Sequence, residues 1–305
     1  VGLAAMGILA MAPLLTTPRP WLLSILFFII ELNLLLAAKE SGKPGKLIYI
    51  PLLFWVWASW QIQFIYGLFV LGVFLVEPWI IRFANEKGLI RQPAHPHGKA
   101  IWLIGLASFL ATLITPNYHL LYSAIYAVIL QTGVYQTISE MHAMPFRQAP
   151  DWVVLLLVTG AAYALGFRKK ADLFLMIILG VGLLVAFRSR RDIWFIVPPA
   201  LVFIALALPS PASPGNTLFT RPQQLAALII MSLFTFGIIH SQGINPKALD
   251  DAIAETYPTS AVYLVRLKHY PGPLYNSYNI GGFLLWQLPE FLINIDGRAN
   301  FHGDE

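Results

Sequence analysis

The residues Pro20 to Ala38 read PWLLSILFFIIELNLLLAA, and all but Ser24, Glu31 and Asn33 are apolar. A helix needs roughly 20 such residues to cross about 30 Å of hydrocarbon. In lipid only internal hydrogen bonds satisfy the backbone, so a run of this kind is read as a helix. Comparable runs lie near 1–17, 47–81, 99–115, 117–131, 151–167, 171–187, 191–208 and 222–239. The expected fold is therefore an all-α polytopic membrane helix bundle of about nine membrane segments, occupying residues 1–242.

Composition points the same way. Of 305 residues, 57% are hydrophobic and 11% charged, where a soluble domain carries roughly a quarter charged residues. The mean hydropathy is +0.67. Cysteine is absent, which excludes a disulfide framework and a thiolate site. Lys and Arg number 20 against 15 Asp and Glu, a net charge of +5. In a membrane chain that excess anchors helix ends at lipid head groups, so lipid is the expected partner and nucleic acid is not.

Two of the runs depart from a single crossing. The stretch 47–81 would make about 50 Å of helix at 1.5 Å per residue, and its polar, aromatic middle, Trp57 to Gln63, is read as a break or an interfacial stretch. Runs 99–115 and 117–131 are separated by Pro116-Asn117 and fit a tight hairpin or a re-entrant pair. Lys39, Lys43 and Lys46 in one short loop, and Arg168, Lys169 and Lys170 in another, fit a cytoplasmic side. Counting onward, Arg188, Arg190 and Arg191 fall on the opposite face, against the charge rule: as interfacial anchors, through a miscounted helix, or as the binding group for an anion at the outer leaflet.

From about residue 243 the texture changes. Residues 257–269 fit an amphipathic helix, 279–288 a helix with a glycine-rich entry, and 291–295 a strand ending at Asp296-Gly297-Arg298. Alternating helix and strand predicts the start of an α/β domain over 243–305. In it, Gly281-Gly282 allows close backbone approach, and Asp296 and Arg298 stand at a strand end, where α/β sheets bind ligands. The same residues also fit a turn stapled by an Asp–Arg pair, with a helix cap at Asn279.

Two other acidic residues stand out. Glu31 lies within an apolar run, and an intramembrane carboxylate fits a cavity or a partner, a neutral acid, or a place close enough to the helix end to reach water. Glu140 sits beside His142 in the loop 132–150, as a base, a metal ligand or one half of a solvated pair. His95 and His97 lack a third ligand nearby, so no metal site is assigned. There is no phosphate-cradling loop, nucleophile elbow or zinc-protease helix.

Several motifs occur together in order. Asn276-Ser277-Tyr278-Asn279-Ile280-Gly281-Gly282-Phe283-Leu284-Leu285-Trp286, followed by Asp296-Gly297-Arg298, fits the pattern N-x-Y-x-x-G-G-[FY]-L-x-W then D-G-R. Upstream stand Arg19-Pro20-Trp21-Leu22-Leu23-Ser24, Pro51-Leu52-Leu53-Phe54 with Trp57-Ala58, and Arg190-Arg191-Asp192-Ile193 with Pro198-Pro199. The set resembles bacterial multi-pass proteins of the GT-C glycosyltransferase type, related to the protein mannosyltransferase-like enzymes. The chain departs from that pattern at Ser59 to Phe64, which lacks the expected histidine, and at Met141, where tryptophan is usual.

The resemblance implies an enzyme of the bacterial inner membrane that transfers sugar from a polyprenyl-phosphate donor at the extracytoplasmic face, with the tail on that side. Its catalytic acid would precede Val1, and the chain is expected to be an internal piece of a longer protein. Arg188, Arg190 and Arg191, with Arg19 second, would hold the lipid phosphate. Asn276, Asn279, Gly281, Gly282, Asp296 and Arg298 would shape the acceptor side or brace the tail. The cofactor is left open: a divalent metal is compatible with the resemblance, and no residue set is identified for it. The alternatives are a carrier or flippase for a lipid-linked glycan, and a non-catalytic membrane scaffold with a partner-binding tail.

Overall fold

The computed structural model describes residues 2–16, 19–88, 98–130, 141–167, 172–208 and 246–296. The chain forms two compact units, Val1–Pro209 and Ser210–Glu305. The expected boundary at 242–243 and the expected segment 222–239 fall within 209–245, outside the described residues.

In the first unit the apolar runs are helices. They are α1 (Gly2–Leu15), α2 (Trp21–Ser41), α3 (Ile50–Trp60), α4 (Phe64–Glu86), α5 (Lys99–Leu113), α6 (Leu120–Leu130), α7 (Ala149–Phe167), α8 (Leu173–Arg188) and α9 (Ile193–Ala207). Three have the length and composition to cross a membrane: Trp21–Ser41, Phe64–Glu86 and Ala149–Gly166 within α7. Four more are apolar but shorter: Gly2–Leu15, Lys99–Leu113, Leu120–Leu130 and Leu173–Arg188. A count of nine crossings is therefore not carried by the described helices, because hydrophobicity alone does not report where a helix is interrupted.

The run 47–81 shows such interruptions. A 3-10 turn at Pro44–Tyr49 leads into α3, Gln61 is extended at φ −154°, and α4 begins at Phe64. The break falls in the polar middle of the run. Residues 114–119 likewise separate α5 from α6, and Tyr122 returns to share a 2.5 Å hydrogen bond with Thr112.

At the centre, Ile193 through Ala200 of α9 are buried, and α9 packs against α7, α8, α1 and α2. Phe28 and Tyr66 each lie 5.4 Å from the Trp194 ring and 5.1 Å from the Phe195 ring, measured between centroids. The outside is apolar as well: Trp79, Phe83, Leu103, Tyr126, Tyr163 and Leu184 are all more than half exposed. Such a surface is unfavourable in water and suited to lipid.

The second unit contains α10 (Pro246–Thr256), α11 (Thr259–Lys268) and α12 (Tyr278–Gln287). Its core is Val262, Phe283, Leu284 and Leu288, with Tyr257 stacked on Phe283 at 4.7 Å. The two predicted helices are present. The predicted strand is not: among the described residues there is no strand, only an isolated parallel bridge between Leu274 and Ile293. Two backbone bonds carry it, Leu274 N to Leu292 O at 2.8 Å and Asn294 N to Leu274 O at 3.0 Å. Among the described residues that bridge is not extended into a ladder, so the expected α/β layer is not formed by them.

Candidate functional site

The site is built on a tight reversal between two helices. α8 ends at Arg188, Ser189 is extended, and a 3-10 turn at Arg190–Asp192 feeds directly into α9. Four charged residues are thereby set at one end of the bundle. α2 and α8 run antiparallel: Trp21 at the start of α2 meets Arg191, while Lys39 in its last turn meets Asp172 before α8. The Lys39 end and the arginine end thus lie at opposite ends of α8, where counting crossings onward, against the charge rule, puts them.

The arginines proposed from sequence have different surroundings. Arg191 lies over the Trp21 ring at 5.3 Å, and Arg19 lies over the same ring at 4.8 Å. Trp21 is buried and held by its indole N–H, which donates to Leu14 O at 3.1 Å. Two guanidinium groups therefore converge on one fixed ring, each attracted by its π face. The Nε of Arg191 is buried and unpartnered.

Arg190 is engaged otherwise. Its Nε lies 3.1 Å from the buried Asp151 carboxylate, its NH2 donates to Gln148, and its backbone N–H donates to His142 O at 3.0 Å. Asp151 stands in the first turn of α7, where a carboxylate also favours the helix dipole. Arg190 therefore braces α7 against the turn. Arg188 is exposed at the end of α8.

Asp192 completes the turn. Burial pushes its carboxyl above the usual carboxylate range, against the opposing pull of Arg191 and of hydrogen bonds with Ser189, Tyr66 and Gln63. The last two residues connect the turn to the start of α4.

Glu31 lies deeper on α2. It is fully buried, and neither carboxyl oxygen has a hydrogen-bond partner. It faces Gly67 of α4, where an added methyl group would stand 2.7 Å from Glu31 Oε2 and 2.5 Å from the Trp57 ring.

In the second unit the tail motif partly assembles. Asn276 donates to Ile295 O at 2.7 Å and accepts from Asn294 N at 3.1 Å, which ties the two ends of the bridge together. A Cβ at Gly281 would meet Ile295 O at 2.1 Å, whereas one at Gly282 would meet nothing within 4 Å. Asp296 is buried beside Gly281. Asn279 is exposed within α12, whose N-cap is Ser277, so Asn279 is not the cap. Arg298 and Glu140 lie outside the described residues, as do His95 and His97. Among the described residues no group of three or more His, Cys, Asp or Glu is placed to hold a metal ion.

One cluster escaped the sequence reading. Lys39 is not a loop residue. It is buried in the last turn of α2, 2.6 Å from Glu77 of α4 and 2.7 Å from Asp172. Glu77 also accepts from Phe174 N at 3.0 Å, and Asp172 caps α8 by accepting from Leu175 N at 3.1 Å. Its one sequence signal was Glu77, a carboxylate within an apolar run.

Compared with known family descriptions, curated proteins and solved structures, the chain has no match in any of the three.

Proposed function

We propose that this chain is the membrane portion of a GT-C-like glycosyltransferase of the bacterial inner membrane, using a polyprenyl-phosphate sugar at the extracytoplasmic face. The observation that carries the reading is the convergence of Arg19 and Arg191 on Trp21, with Arg191 Nε unpartnered. In glycosyl transfer from such a donor the leaving group is a phosphate. Fixed cations at the bundle end stabilise it as charge develops, and a guanidinium offers two donors to two phosphate oxygens. The ring holds both cations against their mutual repulsion, so the site is organised before a ligand arrives.

Arg190 is left out of the phosphate site, because Asp151 already neutralises it. The tail, ordered by Asn276 and Gly281, is assigned to the acceptor side.

The test is binding of a polyprenyl phosphate to the protein in nanodiscs, followed by transfer from the corresponding lipid-linked sugar. A charge-assisted hydrogen bond contributes about 1.5–3 kcal/mol, so Arg191→Ala is expected to weaken binding roughly ten- to a hundredfold. Unchanged binding in Arg19→Ala/Arg191→Ala would remove the site from the reaction. Binding without transfer by the intact protein would favour the carrier reading instead.

A further inference from the structure

Besides Arg190, whose Nε faces the Asp151 carboxylate at 3.1 Å, five residues among those described carry buried polar side-chain atoms without a hydrogen-bond partner: Glu31, Gln63, Thr115, Arg191 and Trp194. Four of them lie along one seam, where α2, α4 and α9 meet. Gln63, at the entry to α4, hydrogen-bonds Asp192 yet leaves its Oε1 unpartnered. Arg191 precedes Trp194 by less than one turn, and the Trp194 ring lies against both Phe28 of α2 and Tyr66 of α4. The next residue of α4, Gly67, faces Glu31. From Trp21 to Glu31 the seam runs about 15 Å inward at 1.5 Å per residue.

A buried polar atom left unpaired costs about 1–3 kcal/mol, and native proteins rarely leave several together. Elsewhere among the described residues of the bundle Thr115 is left so singly. Lys39, Glu77 and Asp172 satisfy one another through two ion pairs and two backbone donors. The seam offers both donors (Arg191 Nε, Trp194 Nε1) and acceptors (Glu31 Oε1 and Oε2, Gln63 Oε1). That mixture suits water, which needs two to four polar partners of either kind. An acidic group inside a membrane segment is also expected to face a water-filled path.

We propose that the seam between α2, α4 and α9 is a water inlet that opens at the Arg191 turn and ends at Glu31. Glu31 is then supplied with water and protons from the arginine end of the bundle, and Gly67 keeps the α4 backbone close enough to wall the inlet. The proposal is independent of the sugar-transfer reading, since it concerns hydration and not phosphate.

The natural absence of cysteine makes the test direct. Glu31→Cys, Gln63→Cys and the core control Ile178→Cys are placed in nanodiscs and treated with a small, membrane-impermeant methanethiosulfonate. Cysteine reactivity follows access to water, so Glu31→Cys and Gln63→Cys are expected to react at least about tenfold faster than Ile178→Cys. Rates at both positions equal to that of Ile178→Cys would overturn the inlet. Fast reaction at 63 with slow reaction at 31 would overturn its reach to Glu31. Should Glu31→Cys fail to fold, the infrared carboxyl band of the unmutated protein, assigned by its loss in Glu31→Gln, decides the matter. A prompt shift of that band in D2O supports the inlet, and a band that does not shift overturns it.

Discussion

Lys39 and Glu77, 38 positions apart, meet at 2.6 Å inside the first unit, and Asp172 closes on the same ammonium at 2.7 Å. The cluster ties α2 and α4 to the start of α8. Removing one partner of a buried pair leaves an uncompensated charge, at a cost of about 3–5 kcal/mol. Lys39→Met and Glu77→Leu are each expected to destabilise by that order. The double substitution Lys39→Met/Glu77→Leu should recover part of the loss. Thermal unfolding in detergent, run as a double-mutant cycle, checks this; strictly additive losses would show that the pair is not coupled.

The two glycines of the tail motif should behave in opposite ways. Gly281→Ala places a methyl group 2.1 Å from Ile295 O, against backbone that cannot rotate away. Overpacking of this kind costs about 1–3 kcal/mol. Gly282→Ala meets open space within a helix, where alanine is favoured by about 1 kcal/mol. Limited proteolysis of the full chain should show the tail cut faster in the first variant and no faster in the second.

The helices were legible because an apolar run announces itself without any distant partner, and the interruption near Gln61 and Gln63 was legible because it is polar. The number of crossings was not, since nothing local shows how far a short apolar helix such as Leu120–Leu130 reaches. Arg19 and Arg191 stood out in the sequence only as separate candidates for a phosphate. Neither their convergence nor the ring that joins them was legible, because both depend on how the start of α2 packs against the turn after α8. Arg190 carries the same charge as its neighbour, and only the fold assigns it to Asp151. Lys39, 133 positions from Asp172, is the plainest case: its partner is set by packing of whole helices. The Gly281-Gly282 pair announced a close approach, but which glycine makes it depends on where Ile295 falls.

Asp192 gives the arginine turn a pH dependence. Burial raises its carboxyl in the folded state, so the folded protein holds this proton more tightly than the unfolded chain. The stabilisation is full below the ordinary aspartate value of about 4 and is lost as pH rises through the higher folded-state value. Above that window Asp192→Asn, which cannot ionise, should be more stable than the unmodified protein, and the two should converge at lower pH. Melting temperature against pH for both proteins checks the sign; a gap that widens on acidification would contradict it.

Arg190 and Arg191, adjacent in sequence, should separate stability from ligand binding. Arg190→Ala strands the buried carboxylate of Asp151, so a loss of about 3 kcal/mol or more is expected, relieved when Asp151→Asn is added. Arg191→Ala removes a guanidinium that rests on a ring and also the cation nearest Asp192, but Asp192 keeps its hydrogen bonds with Ser189, Tyr66 and Gln63 and, with its carboxyl already raised by burial, can be held in the neutral form. Its melting temperature should change little, while polyprenyl-phosphate binding falls. Measuring both quantities on both variants makes the division sharp. If Arg190→Ala, rescued by Asp151→Asn, bound the lipid as weakly as Arg191→Ala, then Arg190 would belong to the phosphate site and the brace would be secondary.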